Sequence, residues 1–234
     1  MEILLFLLMA GAVFVYFKYR TGANISLDSK EVITRGRGRS EAQKQALRYF
    51  FNNGSLHAKV SDEAYDALVS ARVRSLEAGA KTKVMAKMNL DESQCKEIEP
   101  VCFKGYHVDS IRIFSKRGSD GKLRSSAYQI SWLFFSATQV YLYQYTFHMD
   151  EDRRSETAEE YFYRDITNFS TVSDTEEKSY WDARQTKTLL GNKSYNRFRI
   201  TVPGKEFYCS LEQNEYTERA IQGMRTKLRE KKNS

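Results

Sequence analysis

The sequence is poor in the residues that build disulfide frameworks and metal sites. Its 234 residues include three cysteines and three histidines. An odd, sparse cysteine count fits a reducing compartment better than a disulfide framework. Cys95 and Cys102 are seven positions apart, so they form no Cys-x-x-Cys pair, and no histidine is followed within five positions by another histidine or by a cysteine. The sequence therefore predicts no metal site and no cofactor.

Motifs for catalysis are missing as well. No serine lies in a Gly-x-Ser-x-Gly elbow, and the run at 36–39 lacks the Gly-Lys-Ser/Thr ending of a phosphate-binding loop. Glu159 and Glu160 are adjacent, which places them on opposite faces of a strand. The acidic cluster at 150–152 lacks the ligand alternation and the glycine of a calcium loop. We expect that cluster to solvate a hairpin.

Long apolar runs are limited to one, at residues 3–17, which carries no charge. Fifteen residues rise about 22 Å in a helix, against about 30 Å of hydrocarbon in a bilayer. Extending the helix from Met1 to Tyr19 brings the rise to about 28 Å, and flanking cations can snorkel to the interface. The pattern predicts a single-pass transmembrane anchor over residues 1–20.

The orientation of this anchor follows from the cations behind it, which are Lys18, Arg20, Lys30, Arg35, Arg37 and Arg39. The positive-inside rule places that flank in the cytoplasm and the N-terminus outside. A cleaved signal peptide is the alternative, because Ala10 and Ala12 form a weak cleavage site. Signal peptides begin with a basic region, however, and here only Met1 and Glu2 precede the apolar run.

The chain carries a net charge of +7, with a pI of about 9.2. A basic protein beside an anionic inner leaflet gains roughly 1 kcal/mol per well-placed cation. No zinc finger, helix-turn-helix or RNA-binding aromatic motif accompanies the charge, so no nucleic-acid partner is expected. Residues 21–39 are rich in Gly, Ser, Thr, Lys and Arg and are predicted to be a basic linker.

Residues 40–99 have the period of helices. Ser40 is a predicted N-cap with Gln43 as its capping-box partner, and Ser61 opens a second helix. Shorter helices are predicted at about 80–88 and 91–98. Their apolar stripes are typical of core packing, and a partner-binding surface is the alternative.

From residue 100 the period changes to that of strands. Alternating patterns predict strands at 110–116, 128–135, 140–149, 160–163, 166–172, 197–202 and 207–211, with a loop at 173–178. A final helix is predicted at 214–232, with Tyr216, Ala220, Met224 and Leu228 on its apolar stripe. The tyrosines on one face of 140–149, together with Tyr161 and Tyr163, either line a ligand groove or belong to the core.

The strand order, the segment Glu160-Tyr-Phe-Tyr-Arg-Asp-Ile-Thr-Asn168 and the closing helix resemble the bacterial pleckstrin-homology-like (PH-like) superfold. The resemblance implies an α+β protein: an N-terminal transmembrane helix, a helical segment, and an antiparallel PH-like β-barrel at 100–234 capped by the C-terminal helix. It also implies a binding scaffold for lipid headgroups, peptides or oligomerisation rather than an enzyme.

The resemblance also implies a contact site on the first hairpin loop, where lipid-binding members of this family carry basic residues. Here the loop is flanked by Lys116, Arg117, Lys122 and Arg124. These four residues are possible contacts for an anionic lipid or a protein partner, and a solvated, charge-rich turn is the alternative.

The sequence as a whole predicts a non-enzymatic, membrane-tethered scaffold that binds a protein partner or inner-leaflet lipid. The alternative is an enzyme that acts on membrane-proximal substrates through a site assembled from distant residues.

Overall fold

The computed structural model describes residues 38–51, 59–77, 80–90, 99–108, 113–181 and 188–233, with the backbone alone at 80–81, 174–181, 188–194 and 233. Within it, residues Gly36–Ser234 form one compact unit. The described helices are α1 Glu41–Phe51, α2 Asp62–Glu77, α3 Ala80–Lys87 and α4 Glu215–Asn233. The strands are β1 Val101–His107, β2 Ser115–Arg117, β3 Leu123–Ser125, β4 Ala127–Phe135, β5 Gln139–His148, β6 Arg154–Phe162, β7 Asn168–Trp181, β8 Thr188–Val202 and β9 Lys205–Leu211.

The first two helices begin at the predicted caps. Gln43 N–H donates to Ser40 Oγ at 3.3 Å, and Ser40 N–H donates to Gln43 Oε1 at 2.8 Å. This reciprocal pair satisfies two backbone donors that the helix itself cannot pair. Ser61 Oγ caps α2 by accepting from Ala64 N–H at 3.2 Å. Both capping predictions are confirmed.

The centre of the fold is an antiparallel sheet with the strand order β1-β4-β5-β6. Successive side chains on a strand point to opposite faces, so the sheet contributes to two cores. One face packs under helices α1 to α3, which form the helical layer. This core contains Ala46, Tyr49, Phe50, Tyr65, Val69, Val73, Val84, Met85, Tyr128, Ile130, Trp132, Phe134, Tyr143, Tyr145 and Phe147.

The opposite face packs on a second sheet of order β7-β8-β9 and on α4. That core contains Val101, Phe103, Leu133, Phe135, Val140, Leu142, Tyr161, Tyr163, Ile166, Phe169, Phe198, Ile200, Cys209 and Leu211, with Ile221, Met224 and Leu228 from the helix. The fold is therefore α+β in three layers: helices, the four-stranded sheet, and the three-stranded sheet with α4.

The predicted PH-like barrel is wrong, because the strands form separate antiparallel sheets. A barrel would pair β1 with β9 along a continuous ladder. Instead, side-chain amides of the central sheet form hydrogen bonds with backbone groups on the outer side of β9. Gln129 Oε1 accepts from Ser210 N–H at 2.7 Å, and Gln144 Nε2 donates to the Tyr208 carbonyl at 2.9 Å. Because these backbone groups of β9 are bonded to side chains rather than to another strand, the two sheets pack face to face.

The two sheets approach each other most closely where β1 passes the end of β9. Glu212 N–H donates to the Lys104 carbonyl at 2.8 Å. A Cβ atom on Gly105 would lie 2.9 Å from Leu211 N and 3.1 Å from Ser210 C. These are backbone atoms that cannot rotate away, so this corner of the fold requires glycine.

Gly105→Ala is expected to lower the free energy of unfolding by about 1–3 kcal/mol, because the added methyl group overpacks the corner. Gly223→Ala is the control, since nothing lies within 4 Å of its Cβ position on α4. Alanine favours helix, so that change is expected to raise stability by up to about 1 kcal/mol. Urea denaturation of the two variants measures both effects. Shifts of equal sign would contradict the close approach at Gly105.

Among the described residues, no helix combines the length and the apolar character needed to cross a bilayer. The predicted anchor at 1–20, nearly all of the linker at 21–39 and the predicted helix at 91–98 lie outside the described residues.

Candidate functional site

A surface groove of about 350 Å³ lies where β1, the end of β9 and the start of α4 meet. It is lined by Cys102, Lys104, Glu212, Asn214, Tyr216 and Thr217. Sequence reasoning missed this site. Its residues come from two segments more than 100 positions apart, and no motif connects them.

The helix cap shapes one wall of the groove. Thr217 N–H donates to Asn214 Oδ1 and Asn214 N–H donates to Thr217 Oγ1, both at 3.0 Å. This reciprocal cap turns Thr217 inward, where it is 4% exposed. Tyr216 precedes it on the helix and therefore points outward.

Tyr216 is the most exposed large apolar side chain in the part of the chain that the structure describes, at 50%. Its hydroxyl oxygen accepts a long hydrogen bond from Cys102 N–H at 3.4 Å. The ring thus stands beside β1 as an open aromatic wall. Tyrosine in this position offers both apolar area and a polar tip to a ligand.

Two charged residues, Lys104 and Glu212, also line the groove. Lys104 Nζ pairs with Glu77 Oε1 at 2.5 Å, and Tyr128 Oη donates to Glu212 Oε1 at 2.9 Å. Partial burial disfavours the ammonium, but the hydrogen bond and charge of Glu77, with the charge of Glu212, outweigh it. The pKa of Lys104 is consequently raised, and this side chain is a cation at neutral pH.

The thiol of Cys102 is not activated for chemistry. Burial raises its pKa to about 12, and the nearby charge of Lys104 offsets this only in part. A thiol is nucleophilic as the thiolate, so Cys102 is a poor nucleophile at neutral pH. The groove offers an aromatic ring, a cation and hydrogen-bonding groups, which suit binding rather than covalent catalysis.

The four predicted contact residues of the first hairpin loop divide into two pairs. Arg124, 2% exposed, donates to both carboxylate oxygens of Asp66 at 2.8 and 2.7 Å and to Asp120 at 2.8 and 3.0 Å. Lys116 Nζ donates to the Tyr49 carbonyl at 3.2 Å and lies 4.2 Å from the centre of that ring. These two cations fasten the β2–β3 hairpin to the helical layer.

The other two residues of the loop point away from the layer. Arg117 Nη1 donates to the Gly121 carbonyl within the same turn at 2.6 Å, and both Arg117 and Lys122 are exposed. Contact with an anionic lipid or a partner stays a prediction, and Arg117 and Lys122 are the two side chains placed to make it.

The aromatic face of β5 belongs to the core. Tyr143, Tyr145 and Phe147 lie under the helical layer, whereas Tyr161 and Tyr163 pack in the core on the other side of the sheet. Lys83 and Lys87 of α3 stand over the rings of Tyr145 and Tyr143, at 5.7 and 5.4 Å from their centres. The interpretation of this face as a ligand groove is therefore wrong.

The turn between β5 and β6 contains a second feature that sequence reasoning missed. Asp150, predicted to solvate a hairpin, is 4% exposed and lies beside His148, which is 6% exposed. Local sequence gave no signal for this burial, because it arises from contacts with the distant helical layer. No group of three or more metal-ligating side chains is found among the described residues.

Comparison of the chain with family models, curated proteins and solved structures found no match. The resemblance of residues 160–168 to the PH-like family stays a prediction. In the structure this segment spans the end of β6, a turn at 163–167 and the first residue of β7, and Ile166 is fully buried.

Proposed function

We propose that this chain is a membrane-tethered binding protein rather than an enzyme, and that it recognises a protein partner through the groove beside Tyr216. The tether is the apolar run at residues 3–17 with its cationic flank. The groove supports binding because its thiol is protonated and its polar groups are arranged around an open aromatic wall.

The observation that carries the proposal is the exposure of Tyr216. The inward stripe of α4 consists of Thr217, Ile221, Met224 and Leu228, which are all buried, while Tyr216 is half exposed next to it. Tyrosines are enriched among the residues that dominate binding energy at protein interfaces. A partner that covered this ring would gain roughly 2 kcal/mol from apolar burial alone.

Lipid contact would play a supporting role. Arg117 and Lys122 are the exposed cations of the first hairpin loop, and each gains roughly 1 kcal/mol beside an anionic surface. Two such contacts are too weak to hold a protein at a membrane without a tether, but they would orient a tethered domain.

Site-specific photo-crosslinking in the native membrane tests the groove. A benzophenone amino acid replaces Tyr216 in the full-length chain, and the matched control places it at Phe162, which is 42% exposed on β6. We expect a discrete protein adduct from position 216 that is absent from position 162 and is lost when Glu212→Lys is added. Adducts to lipid alone, or the same adducts from both positions, would contradict the proposal.

A further inference from the structure

Asp150 combines burial with an unpaired polar atom. Within the described part of the chain its Oδ1 atom has no hydrogen-bond partner, and it lies 4.0 Å from His148 Nδ1. A buried carboxylate oxygen without a donor is costly when it is charged, and such an atom in a native structure requires an explanation.

His148 cannot supply the missing donor. Its Nδ1 atom lies 3.2 Å from Arg153 Nη2. A guanidinium group only donates, so Nδ1 accepts and the ring proton is on Nε2. Burial, together with the charges of Arg153 and His107, lowers the pKa of His148 to about 4. The imidazole is therefore neutral at pH 5 and above.

The pKa of Asp150 depends on burial and on groups from its own turn and from the neighbouring elements. Burial raises its pKa to about 6, and the charge of Glu151 adds to the rise. A backbone hydrogen bond, the Ser126 hydroxyl and the charge of Arg39 oppose it. From α2, Tyr65 stays a neutral phenol, because burial raises its own pKa.

The turn that contains this pair also forms hydrogen bonds with residues at the start of the helical layer. Arg39 Nε donates to the Asp150 carbonyl at 2.6 Å, and Gln43 Nε2 donates to Asp152 Oδ1 at 2.8 Å. Gln43 is also the capping partner of Ser40. Opening of the turn at 149–153 therefore releases the first residues of α1.

We propose that the buried His148 and Asp150 side chains respond to pH in opposite directions. The equilibrium between the closed turn, which contacts the helical layer, and the open turn therefore stays nearly constant between pH 5 and 7. The two groups are exposed together when the turn opens, and their effects on opening have opposite signs.

The signs follow from proton binding in the closed and open states. Asp150 keeps its proton up to about pH 6 when closed but only to 3.8 when open, so its contribution to closure falls as pH rises through that window. His148 binds a proton below 6.5 when open but only below about 4 when closed, so its contribution rises over nearly the same window. Each change is of order tenfold between pH 5 and 7, and together they nearly cancel.

Amide hydrogen exchange of the full-length chain at pH 5 and 7 tests the proposal. The reporter amides are Lys44, bonded to Ser40 O, and Met149, bonded to Ser126 O; Thr167, bonded to Thr201 O in the second sheet, is the reference. After correction for intrinsic exchange, protection at the reporters is expected to change less than about threefold in the wild type. It should rise about twentyfold from pH 5 to 7 in Asp150→Asn and fall about tenfold in His148→Gln.

All three proteins are also measured with His107→Gln, because the charge of His107 is one of the causes that lower the pKa of His148. A steep response in the wild type, or responses of equal sign in the two single variants, would overturn the proposal. Unchanged protection at Thr167 shows that each variant is folded, so the comparison does not depend on overall stability.

Discussion

Tyr65→Ala is expected to lower the free energy of unfolding by about 3–5 kcal/mol, the range for deleting a buried aromatic side chain. Tyr65 is fully buried, and its ring stacks on Tyr49 with centres 4.3 Å apart. Its hydroxyl donates to the Ser125 carbonyl at 2.7 Å, which joins α2 to the end of β3. The change removes apolar contact and leaves that carbonyl without its donor.

Two variants separate the parts of this effect, all measured by urea unfolding followed by circular dichroism. Tyr65→Phe keeps the ring and is expected to cost about 1–2 kcal/mol for the unpaired carbonyl. Tyr216→Ala removes an exposed tyrosine and is expected to change stability by less than about 0.5 kcal/mol. A loss below 1 kcal/mol for Tyr65→Ala, or separate transitions for helices and strands, would show that the helical layer is not part of the core.

Arg124→Met is expected to lower the free energy of unfolding by about 2–3 kcal/mol. The Arg124 side chain is 3% exposed and bonds to two carboxylates, so its loss leaves Asp66 and Asp120 facing each other without a cation. Removing one partner of a fully buried pair costs about 3–5 kcal/mol. Here the aspartates are 41% and 38% exposed, so water recovers part of that cost.

The loss at Arg124 depends on pH in a defined direction. Hydrogen bonds from Arg124 hold the pKa of Asp120 below its ordinary value, and they outweigh partial burial to lower that of Asp66 as well. A depressed carboxyl pKa stabilises the fold above pH 3.8 and ceases to do so as pH falls through the folded-state value. The difference between wild type and Arg124→Met should therefore shrink in acid.

Arg117→Met is the matched control for this series. Its guanidinium bonds within its own exposed turn, so a change below about 0.5 kcal/mol is expected at neutral pH. Equal losses for the two arginines would contradict the assignment of Arg124 as the inward fastener of the hairpin.

Helices and strands could be predicted from the sequence where residues close together in the chain determine them. Strands β4 and β5 begin within one residue of their predicted starts, because uninterrupted apolar and aromatic runs favour extended backbone. The caps at Ser40 and Ser61 depend on residues three positions apart, and they too were predictable.

Assembly of the elements could not be predicted in this way. The prediction of a barrel was wrong because the arrangement of the strands depends on contacts between distant residues. An example is the hydrogen bond between Gln129 and Ser210, which are 81 positions apart. The loop predicted at 173–178 is part of β7, which pairs with β8 as far as Trp181. Two paired strands form their backbone hydrogen bonds without needing an apolar face, so a polar segment such as this gives no sequence signal for a strand.

The predicted stripe of α4 is correct at Met224 and Leu228, which are buried, and Ala220 packs partly buried against the same core. It is wrong at Tyr216, which is exposed, and it left out Thr217 and Ile221, which are buried. Thr217 is accepted inside because its hydroxyl is bonded to the Asn214 and Glu212 backbone. The side chain that the sequence assigned to the core is thus the one at the proposed binding surface.

The most direct measurement of the central claim is the affinity of the crosslinked partner for wild-type chain and for Tyr216→Ala. Once that partner is purified, titration against the full-length chain gives both dissociation constants. The groove predicts at least about tenfold weaker binding for Tyr216→Ala, a loss of about 1.4 kcal/mol, with Phe162→Ala unchanged. Equal affinities of wild type and Tyr216→Ala would contradict it.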